Sequence, residues 1–358
     1  MSGTVRVPMV NLAPVLLETR EAWKANLERL FAAGQFILGE QVAEFEREFA
    51  AATGAKYAIA VGSGTDAIEI CLRAAGLGES GAKVATPALS SPFTAQAILA
   101  AGCRPRFVDV DEEHLLLDVA RIGKQPRAVV PVHLYGQPFD CGELPRDTVV
   151  VQDACQAHGA ARFTRASPFV AYSFYPTKNL ACLGDGGAVT TDSKRVAERA
   201  RLLRDGGRKG DQVSRVRAPH SRLDEIQACY LRAFLPKLAE WNAERATMAE
   251  RYDELLAGCD GVRPVGRREG SACHLYVVRA KRREKLREFL RARGIATGIH
   301  YATPLHLQPA FREFAPKRGG MPVAERACRE IVSLPLWPRM GSGAQEETAA
   351  RVREFYGC

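Results

Sequence analysis

Short apolar runs alternate with helix-like stretches through the first half of the chain, and that alternation most constrains the fold. KYAIAV (56–61) precedes a glycine turn and TDAIEICLRAAG, and KVATP (83–87) precedes SPFTAQAILAAG. RPRFVDV (104–110), RAVVPVH (127–133), TVVVQDA (148–154), VAYSFY (170–175) and GAVTTD (187–192) follow. Strands buried on both faces read as continuous apolar runs. Alternation with helices predicts an α/β chain with a parallel or mostly parallel sheet. From Arg222 a helical stretch runs on to DELLAG, with Pro236 expected to break or kink it. Beyond it the pattern changes to a strand (HLYVVRA), a helix (KRREKLREFLRARG) and another strand (ATGIHY), a smaller α+β domain. The boundary is expected near Trp241, with a large domain over 1–240 and a small one over 241–358.

At 358 residues the chain is long for one core, which fits two domains. Charged residues make up 25% and hydrophobic ones 46%, the balance of a globular protein. Runs such as AVVPVHLY are too short to span a bilayer. MSGTVRVPMVNL lacks the basic-then-apolar order of a signal peptide, so a cytoplasmic address and no membrane partner are expected. A net charge of +9 suits an anionic ligand. The densest basic run interleaves Leu286, Phe289 and Leu290 at helical spacing, which reads as an amphipathic helix and not as a nucleic-acid platform. The ten cysteines form no CxxC. Neither a disulfide framework nor a zinc site is expected, and most thiols read as small hydrophobes.

Four stretches carry chemistry. In VGSGTDAIEI (61–70) a strand turns on glycines into a helix. Free N–H groups at a helix start, with the hydroxyls of Ser63 and Thr65, make an anion seat; the alternative is a plain turn capped by Thr65. In TVVVQDACQAHGA, Asp153 ends an apolar strand, where ligands of open α/β sheets gather. A carboxylate there needs a cationic or donor partner, such as a protonated ring nitrogen, or it serves as a helix cap. SFYPTKNL (173–180) sets Ser173 and Lys178 between a strand and the turn GDGG. An amine near a phosphate and a carboxylate can bond to an aldehyde cofactor, and these stretches offer what pyridoxal 5'-phosphate (PLP) needs: a lysine, a pyridinium partner and a phosphate seat. Finally, His300, Tyr301 and His306 cluster in GIHYATPLHLQPAF, where they could line a pocket for a hydroxylated substrate.

Together with GQFILGEQVAEFEREFA, VPVHLYGQP, SRLDEIQA and SLPLWP, these motifs closely resemble the DegT/DnrJ/StrS-type nucleotide-sugar aminotransferases along almost the whole chain. The resemblance implies the PLP-dependent transferase fold of the aspartate-aminotransferase type (fold type I). Lys178 would bond to the cofactor's aldehyde and move protons, Asp153 would pair with the ring nitrogen, and Gln156 would lie near the 3-oxygen. Gly64, Thr65 and Ser173 would hold the phosphate, and a homodimer would share its active sites. It also implies transfer of an amino group, with glutamate the expected donor, to a keto-sugar on a nucleotide. The 3-keto position of a dTDP-linked deoxyhexose fits best, with 4-keto sugars and keto-cyclitols as alternatives. A sugar dehydratase is a second reading, although its histidine-dependent form has histidine where Lys178 stands. A non-catalytic member is a third.

The chain departs from the family pattern in three places. Ser91 stands where an aromatic ring should stack on the cofactor, a loss of about 1 kcal/mol or more. His220, in PHSRLDE, replaces an asparagine that reaches the other subunit's cofactor phosphate, and it can still donate to phosphate. The segments between Asp111 and Arg127 and between Ala161 and Val170 are short.

Overall fold

The structure is a computed structural model that describes residues 5–123, 126–145, 147–160, 167–316 and 320–358. Helices α1 (Ala13–Glu18), α2 (Arg20–Ala33) and α3 (Glu40–Thr53) lead into β1 (Tyr57–Val61) and α4 (Gly64–Ala74). Then come β2 (Lys83–Pro87), α5 (Pro92–Ala100), β3 (Arg104–Val108), β4 (Ala128–Val129), β5 (Val149–Val150) and β6 (Gln152–Asp153). β7 (Val170–Ser173), β8 (Gly187–Thr191) and α6 (Lys194–Arg204) complete this half.

β3, β2, β4 and β5 pair in parallel, as do β6 and β7, while β8 runs against both β7 and β1. Residues 149–153 join the two sheets. Val151 N–H donates to the Val129 carbonyl (3.0 Å) on one side, and Gln152 N–H to the Phe169 carbonyl (2.9 Å) on the other. The order is therefore β3-β2-β4-β5/β6-β7-β8-β1, with β8 the reversed strand. The carboxyl ends of β1, β2, β6 and β7 thus share one edge, where an open α/β sheet binds its ligands.

Helix α7 (Glu225–Phe234) stops at the short turn Leu235–Lys237, and α8 (Leu238–Leu256) continues beyond it. Pro236 lies in that turn because it has no N–H for the helical ladder. Next come β9 (Val262–Pro264), β10 (Tyr276–Ala280), α9 (Arg283–Ala292), α10 (Pro322–Glu330), β11 (Ile331–Leu334) and α11 (Ser342–Tyr356). β10 is antiparallel to both β9 and β11. Tyr252, Leu256, Leu286, Leu290 and Val352 pack over this small sheet in one core, which also takes in Val7 from the other end of the chain. The start of α8, at Leu238 and Trp241, packs instead with α3, α7 and β7.

Three expectations are corrected. RAVVPVH keeps only Ala128–Val129 as strand. ATGIHY forms no strand: Gly298 bridges Ser333 and Ile295 bridges Val7, after which the chain leaves the sheet edge, with Tyr135 Oη donating to the His300 carbonyl (2.6 Å). Cys259 and Cys358 are joined in a disulfide, because α11 returns the last residue to the end of α8. Sequence spacing says nothing of that return.

Buried Glu225, from SRLDEIQA, caps α3. It accepts from the N–H groups of Gly39 (2.7 Å), Gln41 (2.7 Å) and Val42 (3.1 Å), the orphan donors of a helix start. His133 is fully buried: its Nδ1 accepts from Phe139 N–H (2.9 Å), so Nε2 carries the proton toward Gln152 Oε1 (3.0 Å). Burial holds its pKa down at about 3, against an ordinary 6.5. Above about pH 6.5 the ring is neutral in both folded and unfolded chains. Below that the unfolded chain takes up a proton the folded one refuses until about pH 3, so stability falls with pH across that window. Urea unfolding should give a lower midpoint at pH 5 than at pH 7, with a smaller difference in His133→Asn.

Candidate active site

The turn carrying Lys178 is set from below. Phe174 is fully buried, its ring 5.3 Å from those of both Phe45 and Phe49. Its N–H donates to the Gly186 carbonyl (2.7 Å) and its carbonyl accepts from Cys182 N–H (2.8 Å). Lys178 N–H then donates to the Tyr175 carbonyl (2.8 Å). The half-buried lysine emerges just past the end of β7. Burial pushes its ammonium below the ordinary lysine value, and Cys155 and Asp153 oppose that shift.

Opposite it, α4 begins. Ser63 caps the helix by accepting from Asp66 N–H (3.1 Å), so the cap is Ser63 and not Thr65, which sits half-buried in the first turn. A Cβ on Gly64 would lie 2.6 Å from Ser173 Cβ and 2.8 Å from Cys155 Sγ. A Cβ on Gly187 would lie 2.3 Å from the Ser63 carbonyl oxygen. Glycine at both places lets the helix start, with its free N–H groups, close onto the end of β7.

Asp153 is buried. Thr94 Oγ1 donates to its Oδ2 (2.8 Å) and Cys155 N–H to its Oδ1 (3.1 Å), and Ser90 Oγ lies 3.0 Å from Thr94 Oγ1. Among the described residues these contacts orient the carboxylate without an ion pair to balance it. Gln156 is buried beside it, its Oε1 accepting from Tyr135 N–H (2.7 Å) and its Nε2 donating to Tyr301 Oη (3.1 Å).

The C-terminal half closes over this edge. Tyr301 is pushed up to about 12 by burial, so its phenol stays protonated. His300 meets Ser333 Oγ through Nδ1 (2.8 Å), and burial and the charge on Lys178 bring it down to about 4. His158 and His274 are depressed for the same two reasons in the same order. All three are neutral at pH 7 and all feel the lysine.

Of the residues expected from the sequence, Lys178, Asp153, Gln156, Ser173, Gly64, Thr65, His300 and Tyr301 gather here. His220 and His306 do not. His220 is exposed, though its neighbour Ser221 accepts from Gly62 N–H (2.8 Å) and donates to Asp66 (2.7 Å) beside the start of α4. His306 is buried against Glu325, with Nε2 to Oε1 at 3.1 Å. Ser91 caps α5 and Phe93 is exposed. After Asp111 the chain turns back so that Leu117 bridges Val110, then makes the short turn Val119–Arg121; residues 124 and 125 lie outside the described residues. So do 161–166 of the second short segment. Sequence reasoning missed Thr94, Cys155 and His274; Thr94 was visible four residues after Ser90, at the pitch of a helix start.

The arrangement fits PLP on its own terms: a cradle that a Cβ would fill, a buried carboxylate that forms no ion pair among the described residues, and a desolvated amine. The family model for the DegT/DnrJ/EryC1/StrS aminotransferase family matches residues 18–353. A dTDP-3-amino-3,4,6-trideoxy-alpha-D-glucose transaminase from Streptomyces venezuelae is 39% identical over 98% of this chain and 97% of its own. A pleiotropic regulatory protein from Geobacillus stearothermophilus is 36% identical over 98% of this chain and 99% of its own. The crystal structure of S. venezuelae DesV in complex with a ketimine intermediate superposes with a TM-score of 0.94, covering 99% of this chain and 100% of that one at 38% identity. The chain belongs to the DegT/DnrJ/EryC1/StrS family of PLP-dependent aminotransferases, with fold type I. Gly64→Ala should weaken PLP binding to the apoprotein about tenfold or more, ~1.4 kcal/mol, in an absorbance titration.

Proposed function

We propose that the protein transfers an amino group from L-glutamate to the keto carbon of a nucleotide-linked deoxyhexose, with a dTDP-3-keto-6-deoxyhexose as the best-fitting acceptor. The observation that carries this is the half-buried Lys178 amine set between buried Asp153 and the Gly64–Ser173 closure. The Streptomyces relative, whose named product bears its amine at position 3, supports the acceptor.

PLP, when bound, supplies an aldehyde that takes up and gives back the amino group and a ring that draws electrons from the reacting carbon. Asp153, oriented by Thr94, would hold the ring nitrogen's proton. The start of α4, with Gly64, Thr65 and Ser173, would hold the phosphate, and Gln156 the 3-oxygen side. Lys178 Nζ would anchor the cofactor and, once released, carry the proton between substrate and cofactor carbons. Its lowered pKa leaves more of the amine unprotonated, as a base requires. Neutral His300 and protonated Tyr301 can hydrogen-bond sugar hydroxyls without bringing charge. His306, paired with Glu325, would contribute through the shape of the loop.

The working unit in this proposal is a homodimer. Phe36, Phe93, Tyr175, Leu183 and Ile226 are exposed apolar side chains on or near the segments that build the site, a pattern that marks a protein contact. Exposed His220 would then reach the second copy's phosphate. We place the division into domains 1–240 and 241–358 inside α8, where one helix passes between two cores, with Val7 joining the second. A cytoplasmic address belongs to the same proposal: the eight free cysteines favour it, and the Cys259–Cys358 disulfide counts against it. The Geobacillus relative's name favours a regulatory reading; the retained lysine and carboxylate favour catalysis.

The PLP form should bleach from its visible band to a near-ultraviolet one when glutamate is added, and a keto-sugar nucleotide should restore the band. Lys178→Ala should bind PLP without carrying out this cycle. A native protein that binds PLP but does not respond to glutamate would contradict the proposed donor.

A further inference from the structure

Lys178 is followed by Asn179, a buried amide whose partners all lie outside the lysine's own turn. Its Nδ2 donates to Asn242 Oδ1 (2.8 Å) and to the Ala272 carbonyl (2.7 Å), and its Oδ1 lies 3.0 Å from His274 Nδ1. Asn242 Nδ2 donates in turn to the His158 carbonyl (2.7 Å). These contacts permit one orientation. The two carbonyls can only accept, which fixes both amides. Asn179 Oδ1 is then the acceptor, so His274 Nδ1 must carry the ring proton. The chain runs one way, from His274 through Asn179 and Asn242 to the His158 carbonyl.

Both anchors of this chain are themselves held. Ala272 N–H donates to the Gly136 carbonyl (2.9 Å) and His274 N–H to the Tyr135 carbonyl (3.0 Å). Gly136 has φ +94°, and a Cβ there would lie 2.9 Å from His274 N, so this close approach requires glycine. Buried Arg245, on α8 with Asn242, donates to the His274 carbonyl (3.3 Å) and the Leu336 carbonyl (3.2 Å). Within the lysine's turn Tyr175 and Thr177 are exposed. An ammonium is better solvated in water than in a half-buried corner, so the lysine's turn needs a restraint to hold it inward.

We propose that Asn179 is the positioning residue of Lys178: it ties the lysine's backbone to α8 and to the 272–274 loop, and so keeps the amine in the half-buried corner beside Asp153. A helix and a loop from the C-terminal half thereby set the reactive amine of the other half. The inference rests on the reading that Lys178 carries PLP, but it concerns the apoprotein as well.

Competitive acylation of the apoprotein across pH, with Lys178 modification read by mass spectrometry, gives the lysine's titration midpoint without any cofactor. Asn179→Ala should move that midpoint upward, toward an ordinary lysine, and weaken PLP binding about tenfold or more. Asn179→Asp keeps the shape but removes both donors, and should do the same. Asn242→Ala breaks the chain one bond further out and should act in the same direction with smaller effect; it decides the matter if the Asn179 variants do not fold. A lowered melting temperature with an unchanged midpoint and unchanged PLP affinity would make the chain merely structural and overturn the proposal. If native protein fails to bind PLP, the cofactor reading fails, while the apoprotein midpoint still decides the role of Asn179.

Discussion

The desolvation of one ammonium governs the rest of the site. Taking a lysine partly out of water costs free energy that only neighbours of opposite charge or a fall in pKa can offset. Here burial is the larger effect and lowers the pKa, while Asp153 and Cys155 pull the other way. The carboxylate is close enough to act on the lysine yet is committed to Thr94 and the Cys155 N–H. Among the described residues neither group forms an ion pair, and a cofactor with an aldehyde and a basic ring nitrogen can supply a partner to both. The neutral state of His158, His274 and His300 follows from the same ammonium and the same burial.

The fold exists around this corner for reasons that can be traced. Parallel strands bring the carboxyl ends of β1, β2, β6 and β7 to one edge, and the reversed strand β8 returns the chain after the lysine's turn. Glycines at 64 and 187 lack the Cβ atoms that would collide with Ser173 and Cys155 on one side and with the Ser63 carbonyl on the other. Phe174 anchors the turn in a cluster with Phe45 and Phe49, and Glu225 holds α3 in place by capping it. The C-terminal half then adds Tyr301 against Gln156, and the Asn242 and Ala272 contacts to Asn179.

Much of this was legible in the sequence. Apolar runs marked the strands, the glycine turn marked the start of α4, and the position of Asp153 at a strand end followed from local pattern. Those are short-range signals. What escaped depends on long-range return of the chain. Cys259 and Cys358 stand far apart until α11 folds back. ATGIHY has the composition of a strand, but only Gly298 finds a partner at the edge of β11. His306 resembled a ligand-binding histidine beside His300, and the fold turns it to Glu325. Thr94 and His274 were present in the motifs, but their roles appear only when Asp153 and Asn179 come into reach.

The most direct measurement is borohydride reduction of the protein loaded with PLP, followed by peptide mapping. A single stable pyridoxyl adduct on Lys178, lost when the protein is unfolded before loading, is the expected result. An adduct spread over several surface lysines, or none at residue 178, would show that the desolvated amine beside Asp153 is not where the cofactor is held.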